Sequence, residues 1–152
     1  MSATIDWSDR YDEELAEGML RYSGTPEGGD TGVPGFLGIR ITEAGPGWVV
    51  GELDVGENLL NPFGAAHGAV LASLVDHVLG AAVMPLIPRG TWPATLEFKL
   101  NYLAPTRPGV LRATSRVVSL TKKTAVVTVE CESDGRMVGT ALGTIAITPP
   151  KS

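Results

Sequence analysis

An apolar run from Ala65 to Ile87 constrains this chain more than any other feature. It is long enough to cross a bilayer, for which about 20 residues suffice. It contains His67, Asp76 and His77, however, and Pro85 near its end. An aspartate at mid-span costs about 2.5–3.5 kcal/mol on insertion, and no Lys/Arg cluster flanks the run. The expectation is a soluble-protein helix from His67 to about Met84, with no membrane insertion. A helix apolar on nearly every side is expected to be buried on nearly every side. Asp76 is then the residue to explain, because a carboxylate within LASLVDHVLGAAV is costly without a partner or a purpose.

The remaining sequence offers β-structure to cover such a helix. Phe36–Thr42 and Trp48–Val55 are β-rich runs joined by Ala44-Gly-Pro-Gly47, which predicts a hairpin. Asn61–Ala66 is expected to be a loop. Pro85, Pro88 and Pro93 forbid continuation of the long helix. Thr95–Tyr102 alternates, with Leu96, Phe98, Leu100 and Tyr102 on one side and Glu97, Lys99 and Asn101 on the other. Val110–Leu120 and Lys123–Glu132 flank a turn at Thr121-Lys122, and Ser133-Asp134-Gly135 turns into a last strand, Arg136–Thr148. Ser8 is a candidate cap for a short helix through about Arg21, with the acids at 9–17 as its wet face. Residues 23–35 are a turn-rich linker that could act as a lid or strap.

A chain of 152 residues suits one domain. The expected division is an N-terminal helix and linker over 1–33 and a core domain over 34–152. The fold class is α+β: an antiparallel sheet wrapped around one long central helix. Cys131 is the single cysteine, so no internal disulfide can form, and it continues the Val127, Val129 face of a strand as a core thiol. The acidic N-terminus lacks an apolar signal region, so a cytoplasmic location is expected.

Charge is unevenly spread. Residues 1–60 hold twelve acids against three arginines, whereas residues 77–129 hold only Glu97 against seven bases. An overall charge of −5 argues against nucleic acid as a partner. The basic middle suits either a small phosphorylated ligand or a solvated strand surface.

The segment Asn61-Pro-Phe-Gly-Ala-Ala-His67-Gly68-Ala69, followed by Asp76, carries the chemistry. Asn, then Gly three residues on, then His-Gly, then Asp nine residues after the His resembles the signature of PaaI-like (phenylacetic-acid-degradation type) thioesterases. Thr95–Pro105 resembles that family's next strand and its Pro-containing turn, and the resemblance extends over about residues 34–148. The departure is Ala69, where the family usually has a second glycine. It leaves a Gly68 N–H intact and bears on how closely another backbone or a substrate can approach.

The resemblance implies a hotdog fold and an acyl-CoA thioesterase acting without metal or prosthetic cofactor, coenzyme A being part of the substrate. It implies Asp76 as general base or nucleophile, Thr95 orienting the water, and Asn61 with the Gly68 N–H holding the carbonyl. His67 orders the loop more readily than it transfers protons. Lys122, Lys123 and Thr124 match a turn that contacts CoA. The resemblance further implies homodimers with sites at the subunit interface, often paired into tetramers.

The chemistry is sensible without the family. Thioester hydrolysis needs an activated nucleophile and a donor for the developing oxyanion, and a helix N-terminus offers unpaired N–H groups at the positive end of a dipole. If both residues are helical, nine residues rotate Asp76 about 180° from His67. Two antiparallel helices from two chains meet that geometry better than one.

Other readings of the same residues remain. A hotdog enoyl-thioester hydratase or dehydratase is one, though its His and carboxylate sit in a differently placed motif. A non-catalytic acyl-CoA binder is another. Asp76 as a hydrogen-bonded core residue, His67 as a structural histidine and Thr95 as a plain β-former are the bland alternatives. His77 points about 100° from Asp76 along a helix, which disfavours a dyad, and the two histidines lack zinc-ligand spacing. No G-x-S-x-G elbow or phosphate-loop fingerprint is present.

Overall fold

The computed structural model describes residues 5–25 and 32–150. Six strands form one sheet: β1 (Arg40–Gly45), β2 (Trp48–Val55), β3 (Trp92–Tyr102), β4 (Gly109–Leu120), β5 (Thr124–Ser133) and β6 (Arg136–Thr148). Their order is β1-β2-β4-β5-β6-β3, and every pairing is antiparallel. Three helices accompany them: α1 (Glu13–Tyr22), α2 (Val33–Leu37) and α3 (Gly68–Val83). The long helix α3 lies on the sheet's inner face, where Leu74, Val75, Val78, Leu79 and Val83 are fully enclosed. This is the hotdog arrangement the sequence implied.

Glycines on the sheet let the helix approach. A Cβ on Gly51 of β2 would lie 2.5 Å from Val78 Cγ1, and one on Gly143 of β6 would lie 2.8 Å from Leu79 Cδ1. Local turn chemistry sets the strand ends. Asp134 and Gly135 adopt φ of 51° and 69° between β5 and β6, the left-handed pair that a two-residue hairpin needs. Gly47 follows Pro46 with φ of 78°, and a Cβ there would collide with Trp7. Trp7 also donates Nε1–H to Val117 O at 3.1 Å, so the N-terminal segment is pinned over the first hairpin.

Four expectations need correction. Ser8 does not cap the first helix. It opens a short 3-10 turn and donates its hydroxyl to Asp6, while Asp12 caps α1 by accepting from Leu15 N–H at 3.0 Å. Phe36 and Leu37 are not strand. Pro34 starts the short helix α2, Gly38 ends it at φ 68°, and extended structure begins at Arg40. The linker expected over 23–35 therefore overlaps α2, and its residues 26–31 lie outside those described. Third, α3 is not buried on every side. Its second face (Ala69, Ala72, Ser73, Asp76, Gly80, Met84) lines an open groove, because small residues there leave the groove unfilled.

The fourth correction concerns alternation in β3. Register shifts between Thr95 and Glu97, so Leu96 is an extra, bulged residue. Phe98 and Leu100 face the core, as expected, but Leu96 is 63% exposed. Thr95 pairs with the fully buried Ile145 and so takes the helix-facing phase instead.

α3 with the 3-10 turn after it is apolar and long enough to cross a membrane by composition, yet 56% of that stretch is buried inside the fold.

Candidate active site

The groove beside α3 has a volume of about 1630 Å³. One wall is the second face of α3, another is α1 through Leu15, Gly18, Met19 and Tyr22, and a third is the start of β3 through Trp92, Thr95 and Phe98. Asp76 is exposed on this face. Asp76 is thus a solvent-facing carboxylate on the wall of a concavity, not the hydrogen-bonded core residue of the bland alternative. Its position follows from spacing: Ala69, Ala72 or Ser73, Asp76 and Gly80 recur at the helical period on one stripe. The bulge at Leu96 turns Thr95 to the same groove, so Asp76 and Thr95 share one cavity. His77 lines it too, despite its offset from Asp76.

The other motif residues lie elsewhere. Asn61 begins a tight loop closed by a Leu60–Ala66 bridge. Its Oδ1 accepts from the Phe63 N–H at 2.9 Å and the Ala65 N–H at 3.3 Å. The amide Nδ2 is therefore the part of Asn61 that suits a substrate carbonyl. His67 is the N-cap of α3, not a helical residue, and its Nδ1 accepts from Ala69 N–H at 3.1 Å. An accepting Nδ1 carries no proton, so the neutral ring holds its proton on Nε2. Gly68 is the first helical residue, where a backbone N–H has no partner within the helix. Tyr102 closes over it, donating its hydroxyl to Gly68 O at 2.8 Å. A Cβ at 68 would sit 3.1 Å from that hydroxyl, a close contact that Tyr102 would have to relieve.

Asn61, His67 and Gly68 do not line the groove that holds Asp76. Eight residues of helix separate Gly68 from Asp76, about 12 Å along the axis. Lys122, Lys123 and Thr124 lie outside the groove as well, at the β4–β5 turn. There Thr121 Oγ1 accepts from the N–H groups of Lys123 and Thr124, and both lysines are exposed. Among the described residues, no cluster of His, Cys, Asp and Glu could hold a metal ion.

Sequence reasoning missed the α1 wall. Asp9, Glu13, Glu14 and Glu17 are exposed, as expected of a wet face, but Asp12 and Glu14 also clamp the helix. Arg89 meets Asp12 at 2.6 Å and Glu14 at 2.7 Å, and Asp12 N–H donates to Pro85 O at 2.8 Å. Hydrogen bonds from Arg89, then from Leu15 N–H, hold the Asp12 carboxyl down to about 2. Its own hydrogen bonds to Asp12 and then Glu14 raise the Arg89 guanidinium above its ordinary value. The only sequence signal was charge asymmetry: a cation just past the long helix and carboxylates near the N-terminus. Arg112 shows the same pairing, bridging Glu43 and Glu52. Part of the basic middle is therefore neutralised by the acidic first third.

Comparison with known proteins places this geometry. The family profile described as the Thioesterase superfamily matches residues 63–140. The chain is 30% identical over 95 residues to 1,4-dihydroxy-2-naphthoyl-CoA hydrolase of Listeria monocytogenes, covering 62% of this chain and 77% of that protein. A phenylacetic acid degradation-related protein from Ralstonia eutropha superposes with a TM-score of 0.74 at 28% identity, covering 86% of this chain and 98% of the other. The E. coli PaaI protein shares the fold, with a TM-score of 0.77 at 22% identity over 90% of this chain and 98% of its own.

Proposed function

The chain belongs to the thioesterase superfamily, and from that premise we propose that it hydrolyses acyl-CoA thioesters at sites shared between two copies. The observation that carries this reading is the placement of Asp76, an exposed carboxylate central to a groove large enough for an acyl group. Asp76 takes a proton from water as the water oxygen attacks the thioester carbonyl. Thr95, turned into the groove by the bulge, orients that water. The carbonyl oxygen gains negative charge, which the Gly68 N–H at the positive end of α3 and Asn61 Nδ2 stabilise. Collapse breaks the carbon–sulfur bond, and the proton passes from Asp76 to the CoA thiolate, giving free acid and CoA.

Within one chain, Asp76 and Gly68 sit about 12 Å apart along the helix. A second copy brings its own Gly68 and Asn61 to the first copy's Asp76. The surface suits such pairing. β3 is an edge strand with an open hydrogen-bonding side. Trp92, Leu96, Tyr102 and Leu103 on or beside it are more than half exposed, and so is Phe63 at 91% on the Asn61 loop. Dimers, and pairs of dimers, cover such surface. In them His67 keeps the loop ordered, and Lys122, Lys123 and Thr124 offer the CoA phosphates cations and a hydroxyl at the rim. A water-soluble enzyme of the cytoplasm fits this reading.

The test is complementation. Asp76→Asn and Asn61→Asp are each expected to be inactive. The second keeps the Oδ1 that orders the loop. Unfolding and refolding the two together restores about a quarter of wild-type thiol release, since half of randomly formed two-fold dimers carry one intact site. Failure to recover activity, with mixed dimers demonstrated, would mean each site lies within one chain. Thiol release with an unchanged acyl chain also separates hydrolysis from hydration of an enoyl thioester.

A further inference from the structure

Two glycines stand in helix interiors on different walls of the groove: Gly18 in α1 and Gly80 in α3. Glycine in a helix interior is about 1 kcal/mol less favourable than alanine, so each needs a reason. Close packing is not that reason. A Cβ at either position meets nothing within 4 Å, and both have ordinary negative φ. This contrasts with Gly51, Gly139 and Gly143, where a Cβ would touch Val78, Leu71 or Leu79 within 3 Å. What Gly18 and Gly80 share is that they keep space open in the cavity containing Asp76.

The space has a direction. Gly80 lies one helical turn beyond Asp76, on the side away from Gly68, and Met84 lies one turn further. At that end the apolar Leu15, Met19, Met84, Ile87 and Trp92 wall the groove, with the Arg89–Glu14 ion pair and Thr91 also on its lining. The wall is fixed, not loose: Asp12 and Glu14 of the α1 segment are clamped by Arg89, and Ser23, after its other end, accepts from the Ile41 N–H at 2.7 Å. The eight residues from Asp76 to Met84 span about 12 Å. With carbon–carbon bonds of about 1.5 Å set at the tetrahedral angle, an extended chain advances about 1.25 Å per carbon, so that span admits about nine or ten carbons beyond the carbonyl.

We infer that the acyl group runs from Asp76 between Gly18 and Gly80 toward Met84 and Trp92, making α1 the determinant of acyl length and the enzyme selective for medium-chain acyl thioesters. This rests on the thioesterase reading and adds the substrate class and the residues that select it. The glycines touch neither the reacting carbonyl nor CoA; they set how much acyl chain fits.

The experiment compares wild type, Gly18→Leu, Gly80→Leu, Gly18→Ala and Gly80→Ala on acetyl-, butyryl-, octanoyl- and palmitoyl-CoA, following thiol release and Tm. The wild type is expected to prefer octanoyl-CoA. Each leucine variant is expected to lose about tenfold or more in kcat/KM on octanoyl-CoA, while butyryl-CoA stays within about twofold. The alanine variants are expected to raise Tm, because helix propensity improves and nothing is displaced. Alanine variants that keep their stability but change the chain-length profile in the same direction support the inference even if leucine prevents folding. A folded, active set with an unmoved profile overturns it and leaves the thioesterase reading standing, as does a wild type that prefers acetyl- or palmitoyl-CoA. A wild type inactive on all four chains overturns that reading and this inference with it.

Discussion

Replacing Gly51 by alanine tests how tightly α3 is held against the sheet, and therefore how Asp76 is positioned. The added Cβ would sit 2.5 Å from Val78 Cγ1 and 3.3 Å from Leu74 Cδ1. Comfortable carbon contacts need about 3.5–4.0 Å, so helix and strand must part by about 1 Å at this point. Neither neighbour yields easily. Val78 and Leu74 are fully buried, and a β-branched valine in a helix has essentially one χ1 rotamer. Overpacking of this kind costs about 1–3 kcal/mol. For a chain of this size each kcal/mol moves Tm by about 2–4 °C, so a fall of roughly 2 to 12 °C follows. Calorimetry reads the change directly. Urea unfolding should give a lower midpoint at an unchanged slope, the mark of a stability change without a new denatured state. An unchanged or raised Tm would refute the close-approach argument, and with it the reason glycine occupies the strand beneath Leu74 and Val78.

Other predictions follow from side chains already placed. Arg89→Ala removes the clamp on α1, so backbone hydrogen exchange over 13–22 should accelerate while global Tm barely moves, exposed ion pairs being worth little; a uniform change across the chain would contradict a local clamp. Acid should loosen α1 in the same way. The Asp12 carboxyl is lowered from 3.8 to about 2 in the folded state, so its contribution is complete above pH 3.8 and is lost as pH falls through 2. Loosening of α1 already at pH 6 would contradict this. Cys131 is enclosed in the core, and burial pushes its thiol up to about 12. It should resist iodoacetamide in the folded protein and react on unfolding, whereas rapid labelling of the native state would show that β5 opens.

How far the sequence revealed this structure depends on the range of the interaction concerned. The long helix, the Asp134-Gly135 turn and the Cys131 core face were legible because each rests on a local pattern: hydropathy, a left-handed turn pair, alternation. The motif placed Asp76 on α3 and Gly68 at its start, where the structure also has them. What stayed hidden was nonlocal. The bulge at Leu96 depends on how β3 pairs with β6, and simple alternation put Leu96 where Thr95 belongs. The α1 wall depends on Arg89 reaching back to Asp12 and Glu14, and no periodicity signals a contact between residues so distant in sequence. The open face of α3 was misread for a related reason: alanine and glycine count as apolar, but they do not fill a groove.

The central claim is that Asp76 is the carboxylate of a thioester hydrolase, and the most direct measurement is thiol release from octanoyl-CoA by wild type and Asp76→Asn. The substitution keeps shape and removes the base. Removing a positioned base costs about 10²–10⁴-fold, so kcat should fall by at least about a hundredfold with Tm and oligomeric state unchanged. An Asp76→Asn variant that keeps the wild-type rate would contradict the account.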